Sequence, residues 1–543
     1  MSSPSNQNKQ SARTAAAWAD AFLQGGDASS LFSNDALWRD YLGMAWDLQT
    51  HEGLEAIASA LPPHRGDKLT LMTSPSPYEI IFGFHGPHGQ IKALAEINDG
   101  LCTRLFTSLE DMASLSSQAK DTPQVLIIGG GQSGLALAAQ LQHLGVPYLV
   151  AEQNPHIGDN WRNRYDSLVL HDPVWVNHLP FKPFPDDWPT FTPKDKMGDW
   201  LEDYADELKL TVKCDFLVTS ASFDEDRAQW HVIAHHRGKP TSLHVPHIIF
   251  AVGTSGFAHT PVIDGADSFT GRQIHSSAYR SGAEFAGQAV TIIGATNSAH
   301  DIAVDLVKHG AKPTLIQRSS THVVPHQVYL DDILAPLYGL EHNRPLADAD
   351  FLSVATPMRR LEEKGRTIFA KAQKGYKEFY QNLTNTGFAL DFAEDGSGII
   401  GKYRRSASGY YIDVGGSQHV IDGRISVTTG KGVQNINASG IMLDDGNHLA
   451  CDAIIYATGF GSMEEWVARL IDKKTADKIG KCWGYGSGYR GDPGPWEGEL
   501  RNMWKPTPQQ GLWFMGGNLA QVRIYSRYLA MQLCHQLRGK NSS

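Results

Sequence analysis

Cysteine is scarce in this sequence, and its scarcity excludes several kinds of redox or metal site. The chain of 543 residues contains five cysteines, which stand far apart and never form a C-x-x-C pair. An odd number without such a pair predicts no disulfide framework, no zinc knot and no dithiol centre, so we expect no metal site. A disulfide reductase with two dinucleotide sites is therefore disfavoured, and a reducing, cytoplasmic compartment is expected.

Long apolar segments and a surplus of positive charge are also missing. No segment approaches the roughly 18 apolar residues of a membrane-spanning helix, and the N-terminal MSSPSNQNKQSARTAAA lacks the apolar core of a signal peptide. The formal net charge is −10, and Lys and Arg are scattered along the chain. We therefore expect a small-molecule substrate, no nucleic-acid partner and no membrane span, and leave a homodimer open.

Two glycine-rich turns carry most of the information that the sequence does contain. The first, in VLIIGGGQSG, is a complete G-x-G-x-x-G between an apolar run that predicts a strand and LALAAQLQHLG, which predicts a helix. The next predicted strand ends at Glu152, whose carboxylate can accept hydrogen bonds from a ribose diol. The pattern predicts an FAD site. Its candidate residues are Gly129, Gly131, Ser133, Gly134, Glu152 and Gln153.

The second turn, in VTIIGATNSA, repeats the spacing of the first with a different ending. Gln317 lies as far after Gly294 as Glu152 lies after Gly129, and Arg318 follows it. A neutral Gln in place of the acid removes a repulsion, and the Arg supplies a cation for a 2′-phosphate, so the pattern predicts NADPH. The candidate residues here are Gly294, Asn297, Ser298, Gln317, Arg318 and Ser319.

The residues before the polar stretch 114–124 differ in composition from the rest. The apolar spacing in TAAAWADAFLQ and in ALWRDYLGMAWDL (Ala36 to Leu48) predicts two helices, and YEIIFGFHG with IKALAEIND predicts a β-hairpin. This part, and WRDYLGMAWDLQTHEG in particular, resembles a SnoaL-type member of the NTF2-like fold. We expect Trp38 and Trp46 in its core or at an interface, and an accessory role in binding or dimerisation.

The segment after the first glycine-rich turn resembles a known enzyme family. GDNWRNRYDSLVLHDP (158–173), LPFKPFP and TPKDKMGDWLEDYADEL are similar to the corresponding stretch of class B flavin monooxygenases, above all the flavin-containing monooxygenases and their plant auxin-forming relatives. The resemblance implies that Trp161 packs under the flavin and that the run ending at His171 passes beside it. His171 stands where related microbial enzymes carry Asn, and it is the candidate catalytic residue as a hydrogen-bonding neighbour of the reactive oxygen.

A second stretch, FTGRQIHSSAYR, matches the F-x-G-x-x-x-H-x-x-x-Y fingerprint of the flavin-containing monooxygenases. Baeyer–Villiger relatives usually carry Trp at the position of Tyr279, so this residue favours oxygenation of a heteroatom. Arg280 replaces the Lys that is common in the family. We expect His275 to hold the linker between the two nucleotide units rather than to transfer a proton.

Two elements near the end complete the predicted α/β fold. DAIIYATGF resembles the strand by which such chains return to the FAD domain, and the C-terminal GLWFMGGNLAQ can present backbone N–H groups to the flavin. The further candidate cofactor residues are Thr458, Gly459 and Asn518. Two Rossmann-like domains for FAD and NADPH thus follow a small α+β NTF2-like domain. The predicted bounds are 1–115 for the accessory domain, 122–286 and 456–543 for the FAD domain, and 287–455 for the NADPH domain with a helical insertion at about 331–416.

The resemblance implies an NADPH- and FAD-dependent monooxygenase that inserts one atom of O2 into a small organic substrate. The oxygen would pass through a flavin C4a-hydroperoxide to nitrogen or sulfur. Two alternatives use the same sites: Baeyer–Villiger oxygenation and oxidative decarboxylation of an aryl-pyruvate. A third, an uncoupled NADPH oxidase or redox sensor, is not an oxygenase.

Overall fold

The computed structural model describes residues 4–67, 69, 71–76, 78–115, 122–254 and 256–541. Most of the predicted domain boundary at 114–124 lies outside these residues. Within them, no helix combines the length and the apolar character that crossing a bilayer requires.

The N-terminal part is a six-stranded sheet covered by helices. Only the pair formed by Phe32–Tyr41 and Leu101–Asp111 is parallel, and the predicted hairpin is present as Glu79–Gly86 against Gly89–Asn98. The spatial order of the strands is Leu48–Glu52, Phe32–Tyr41, Leu101–Asp111, Gly89–Asn98, Glu79–Gly86 and Leu71–Ser76. The helices are Pro4–Leu23, Ala28–Leu31 and Leu54–Ala60. We call this part, residues 4–115, the N-terminal unit.

The prediction of a helix over Ala36 to Leu48 is wrong, because this segment forms strand and turn. The last six residues of the strand Phe32–Tyr41 are all buried, since the strand is covered on both faces. A strand buried on both faces shows an apolar run instead of alternation, and such a run is read as helix when tertiary contacts are unknown. Trp38 lies in the core as expected.

The first nucleotide-binding unit is a five-stranded parallel sheet. In spatial order its strands are Leu512–Phe514, His247–Phe250, Val125–Ile128, Tyr148–Ala151 and Val212–Lys213. Helices Gln132–His143 and Leu519–Asn541 pack together, and Asp159–Arg162 packs on Lys194–Glu207. A three-stranded antiparallel sheet, Phe216–Asp224, Gln229–His236 and Lys239–Val245, extends the unit.

The second nucleotide-binding unit repeats this parallel design. Its strands, in spatial order, are Arg272–His275, Ala453–Tyr456, Ala289–Ile293, Lys312–Gln317 and Ser426–Thr429. Helices Asn297–Lys308 and Gly416–Ile421 and the antiparallel strands Val433–Asn437, Gly440–Leu443 and His448–Ala450 belong to it. Helices Glu464–Leu470 and Lys473–Ile479 follow, and short 3-10 turns lie at Val174–Val176, Ala266–Ser268, Ser276–Ala278, Gly282–Phe285 and Leu340–His342.

The region predicted as a helical insertion is helical, and a pair of strands frames it. His322–Pro325 pairs in parallel with Tyr410–Asp413, so both ends of the insertion return to one place. Its helices are His326–Val328, Ala335–Tyr338, Leu346–Val354, Met358–Gly375, Lys377–Asn385 and Ile399–Ser406, with a π-helical turn at Tyr329–Leu334.

The N-terminal unit shares one continuous hydrophobic core with the first nucleotide-binding unit. A buried ion pair crosses the same boundary: Arg39 donates two hydrogen bonds to the Glu499 carboxylate, at 2.7 and 2.6 Å. The remaining guanidinium nitrogen of Arg39 bonds the carbonyl oxygens of Val354 and Thr356 in the insertion. The unit is therefore fixed to the rest of the protein rather than tethered beside it.

Candidate functional site

The first glycine-rich turn is as narrow as its sequence predicts. Gly129 has a φ of +110°, and a Cβ added to it would lie 2.5 Å from the carbonyl oxygen of Ala251. A Cβ on Gly134 would lie 2.0 Å from the carbonyl oxygen of Gly129. Only glycine fits either position, and helix Gln132–His143 begins directly after Gly131. Backbone N–H groups at such a helix start can hold a pyrophosphate.

Glu152 lies at the end of the neighbouring strand, as predicted, and its carboxylate already has protein partners. It accepts hydrogen bonds from the backbone N–H of Gly130 at 2.7 Å and of Asn154 at 2.8 Å. Glu152 thus fixes the turn to the loop that follows the strand, while the adjacent Gln153 is exposed.

The second turn has the same constraint at its first glycine. Gly294 has a φ of +131°, and its Cβ would lie 2.3 Å from the carbonyl oxygen of Ala457. Helix Asn297–Lys308 follows, and Asn297 and Ser298 at its start line the central cavity. The Asn297 side-chain oxygen also accepts the Ile412 N–H at 3.0 Å, which joins this helix to the insertion.

Gln317 and its two neighbours differ sharply in environment. Gln317 is buried, and its amide bonds Thr321, Thr429 and both backbone groups of Ala389. Its side chain is thus committed to the protein interior. Arg318 and Ser319 are exposed, and Arg318 has no ion-pair partner among the described residues. Arg318 is therefore the free cation at this strand end.

A cavity of about 1110 Å³ lies where the nucleotide-binding units, the insertion and the N-terminal unit meet. Gln132 and Trp161 line it from the first unit, and Asn518 lines it from the start of the C-terminal helix. The Trp161 indole N–H bonds the Gln132 side-chain oxygen at 3.2 Å, which fixes the ring in the wall. The glycine cradle, the flat aromatic wall and the polar Asn518 fit FAD.

His171 also lines this cavity, beside a small polar group. Its Nε2 lies 4.0 Å from a carboxylate oxygen of Asp301, and the same carboxylate accepts the Tyr165 hydroxyl at 2.7 Å. The next residue, Asp172, accepts a hydrogen bond from Tyr329 of the π-helical turn. Burial raises the pKa of Asp172 above its usual value. The segment 158–173 is thereby bonded to the insertion.

The fingerprint residues hold the linker together. The His275 Nε2 lies 3.0 Å from the carbonyl oxygen of Gly459, and the buried Tyr279 donates its hydroxyl to Asp305 at 2.7 Å. Thr458 donates its hydroxyl to the His259 carbonyl oxygen. Gly459 and Thr458 are thus hydrogen-bonded to residues of the linker between the two nucleotide units. The contact of His275 with Gly459 agrees with a structural role in that linker.

Several cavity residues escaped the sequence analysis. Arg39 and Arg104 come from the N-terminal unit, and Tyr329 and Arg404 come from the insertion. No local motif surrounds any of these four residues. Only the tertiary arrangement brings them to the cavity, so a signal for them is absent from the sequence taken alone.

Two parallel sheets, each with a glycine-rich turn at a helix start, open on one cavity without a cysteine pair. This arrangement is typical of oxidoreductases that bind two dinucleotides. A family profile described as pyridine nucleotide-disulphide oxidoreductase matches residues 126–392.

Proteins of similar sequence show which family within this class the chain belongs to. The chain is 30% identical over 361 residues to indole-3-pyruvate monooxygenase YUCCA1 of Oryza sativa subsp. japonica, which covers 66% of this chain and 82% of that protein. It is also 30% identical to the probable indole-3-pyruvate monooxygenase YUCCA8 of Arabidopsis thaliana, over 62% of this chain and 74% of that one. The chain therefore belongs to the flavin-containing monooxygenase family. It is a flavin-dependent monooxygenase that uses FAD and NADPH, which confirms the predicted class and cofactors.

Solved structures share the fold. The flavin-containing monooxygenase from Stenotrophomonas maltophilia superposes with a TM-score of 0.51 at 20% identity, over 77% of this chain and 99% of that one. The open crystal structure of cyclohexanone monooxygenase gives a TM-score of 0.52 at 18% identity, over 77% and 88% of the two chains.

Proposed function

We propose that the enzyme uses NADPH and O2 to oxygenate nitrogen or sulfur in a small organic substrate. The observation that carries the proposal is one cavity lined by the helix starts of both glycine-rich turns, by Gln132 at the first and by Asn297 and Ser298 at the second. Tyr279 supports heteroatom oxygenation, because it stands where Baeyer–Villiger relatives carry Trp.

In this proposal each nucleotide is held by one turn. The N–H groups from Gly129 to Gly134, including that of Ser133, bind the FAD pyrophosphate, and Glu152 and Gln153 lie at the ribose. Trp161 and Asn518 contact the flavin. Asn297 and Ser298 bind NADPH phosphates at the second turn, with Arg318 and Ser319 at the 2′-phosphate.

The protein's own side chains then protect and orient the reacting centre. Bound FAD supplies the activation of O2, which no side chain of the cavity can provide. His171, held near Asp301, donates a hydrogen bond at the reactive oxygen. Apolar cavity residues such as Leu519 and Ile524 keep bulk water away, which favours oxygen transfer over loss of peroxide.

A second candidate reaction is oxidative decarboxylation of an aryl-pyruvate. The names of the relatives favour it, since they are indole-3-pyruvate monooxygenases. Both reactions use the same cofactor sites. They differ in the substrate atom that reacts with the activated oxygen, which is nitrogen or sulfur in the first reaction and the carbonyl carbon in the second.

Product analysis separates these candidates. The FAD-loaded enzyme is supplied with NADPH, O2 and one of four compounds: a thioether, a tertiary amine, a ketone or an aryl-pyruvate. Sulfoxide or N-oxide supports the first proposal, whereas ester or decarboxylated acid supports the alternatives. NADPH consumption that yields only hydrogen peroxide with all four compounds contradicts an oxygenase and supports an NADPH oxidase.

We further propose that the N-terminal unit is an NTF2-like domain that forms part of the substrate cavity. The six-stranded sheet with helices packed on it supports the first half of this proposal. Arg39 and Arg104 in the cavity wall support the second.

A further inference from the structure

The cavity contains an arginine without an acidic partner. Arg404 lies on helix Ile399–Ser406 of the insertion and lines the cavity. Its hydrogen bond goes to the carbonyl oxygen of Ile400, one turn earlier in its own helix, at 3.1 Å. Among the described residues no carboxylate lies within ion-pair distance of it.

Most other arginines in this region are paired with an acid, whereas Arg164, which also lines the cavity, lies over the Trp161 ring. The adjacent Arg405 binds both Asp395 and Glu362. Arg39, which also lines the cavity, binds Glu499, and Arg523 of the C-terminal helix binds Asp350. Since an unpaired charge away from bulk water is unfavourable, the contrast between Arg404 and its neighbours calls for a ligand that supplies the missing anion.

Arg404 is also held in a fixed position. The preceding residue, Tyr403, donates its hydroxyl to Gln521 at 2.6 Å, and its carbonyl oxygen accepts the Trp483 indole N–H at 2.7 Å. Burial lowers the pKa of Arg404, and the positive charge of Arg39 acts in the same direction. The guanidinium keeps its charge, because arginine is not deprotonated in proteins.

Apolar side chains also line this cavity. Leu500, Leu519 and Ile524 line it together with Arg404. A ligand that fits such a wall has an apolar body and one anionic group, and a carboxylate matches the fork of the guanidinium best.

We propose that Arg404 is a substrate-binding residue that selects substrates carrying a carboxylate. The inference rests on the proposed function, because it takes this cavity as the substrate site. In this proposal the insertion selects substrates by their charge, whereas the two nucleotide-binding units bind the cofactors.

The test uses one pair of thioethers, (phenylthio)acetate and its neutral isostere (phenylthio)acetamide. Calorimetric titration of the oxidised, FAD-loaded enzyme without NADPH measures binding in the absence of turnover. A charge-assisted bidentate contact predicts that wild type binds the acid about 10- to 100-fold more tightly than the amide. Arg404→Gln should bind the two compounds equally. Arg404→Lys should keep part of the preference, because it retains the charge and loses the fork.

A matched control excludes a general effect of positive charge. Arg360 also lines the cavity but is paired with Glu363, so Arg360→Gln should keep the full preference for the acid. The proposal is overturned if wild type shows no preference, if both Arg404 variants keep it in full, or if Arg360→Gln loses it. Should Arg404→Gln fail to retain FAD, wild type and Arg404→Lys decide the result.

A second measurement keeps this proposal separate from the proposed function. With NADPH and O2 added, the sulfoxide of either thioether is measured. Preferential binding of the acid without sulfoxide supports Arg404 and contradicts heteroatom oxygenation. Sulfoxide from both compounds with equal affinity supports the oxygenase and overturns the role of Arg404.

Discussion

At the scale of single residues, Arg318 is the side chain that we propose to favour NADPH over NADH. It is exposed and unpaired at the strand end, whereas the side chain of Gln317 is used inside the protein. A charge-assisted contact with the 2′-phosphate contributes about 1.5 to 3 kcal/mol, or roughly a 10- to 150-fold preference. We therefore expect Arg318→Ala to raise the KM for NADPH by that factor and to leave the KM for NADH nearly unchanged.

Steady-state kinetics with both coenzymes checks this prediction, and Arg318→Lys is the control. Lysine keeps the charge without the fork, so its effect should be intermediate. An equal loss for NADPH and NADH would contradict the assignment of the 2′-phosphate to Arg318.

His322 should make the stability of the enzyme depend on pH. It is fully buried in the strand that opens the insertion, and burial lowers its pKa to about 4. Between about pH 6.5 and pH 4 the unfolded chain binds a proton that the folded chain does not, so folding stability falls as pH falls through this range. The full loss is about 3 kcal/mol, and the residue contributes no pH dependence above about pH 7.

Thermal unfolding of wild type and His322→Gln at pH 7.5, 6 and 4.5 measures this contribution. The variant is expected to be less stable than wild type at pH 7.5, because it disturbs a packed site, and to lose less stability on acidification. Parallel pH profiles for the two proteins would show that another group is responsible.

At the scale of elements, the first glycine-rich turn is the proposed site of the FAD pyrophosphate. Gly131 has an ordinary φ, but a Cβ there would lie 3.0 Å from the Asn160 side chain at the mouth of the pyrophosphate cradle. We expect Gly131→Val to fold and to lose FAD, because the side chain fills the space that the phosphates need.

Flavin absorbance per protein and the circular dichroism spectrum test this prediction together. Gly375→Val is the control, since that helical glycine has open space around it and an ordinary φ. Normal FAD content in Gly131→Val would contradict the assigned cradle.

Elements also show what could and could not be predicted from the sequence. Both glycine-rich turns were predictable from the spacing within one strand-turn-helix unit, but the carbonyl oxygens that exclude a side chain at Gly129 and Gly294 belong to Ala251 and Ala457, which follow distant strands. Strand Phe32–Tyr41 was not, because the layers that bury both of its faces are distant in sequence. The contribution of Tyr329 to the cavity was also hidden, since it depends on a contact with Asp172, which lies in another part of the chain.

At the scale of the whole molecule, the N-terminal unit is joined to the catalytic body through the Arg39–Glu499 pair. Burial alone would raise the pKa of Glu499, and the Arg39 guanidinium holds it below its usual value. Glu499 also accepts hydrogen bonds from the hydroxyls of Tyr41 and Thr50, so three residues of the unit converge on one carboxylate. Such a contact between segments far apart in sequence could not be predicted from local patterns.

Removal of either partner should therefore destabilise the whole enzyme. Arg39→Met leaves a buried carboxylate without its cation, which costs about 3 to 5 kcal/mol. The double variant Arg39→Met/Glu499→Gln removes both charges and should recover much of that loss. Urea unfolding followed by flavin fluorescence and by tryptophan fluorescence measures both variants.

If the pair joins the unit to the catalytic body, both signals shift together in Arg39→Met, because Glu499 belongs to that body. A shift in the tryptophan signal alone would instead mean that the N-terminal unit unfolds independently of the FAD site.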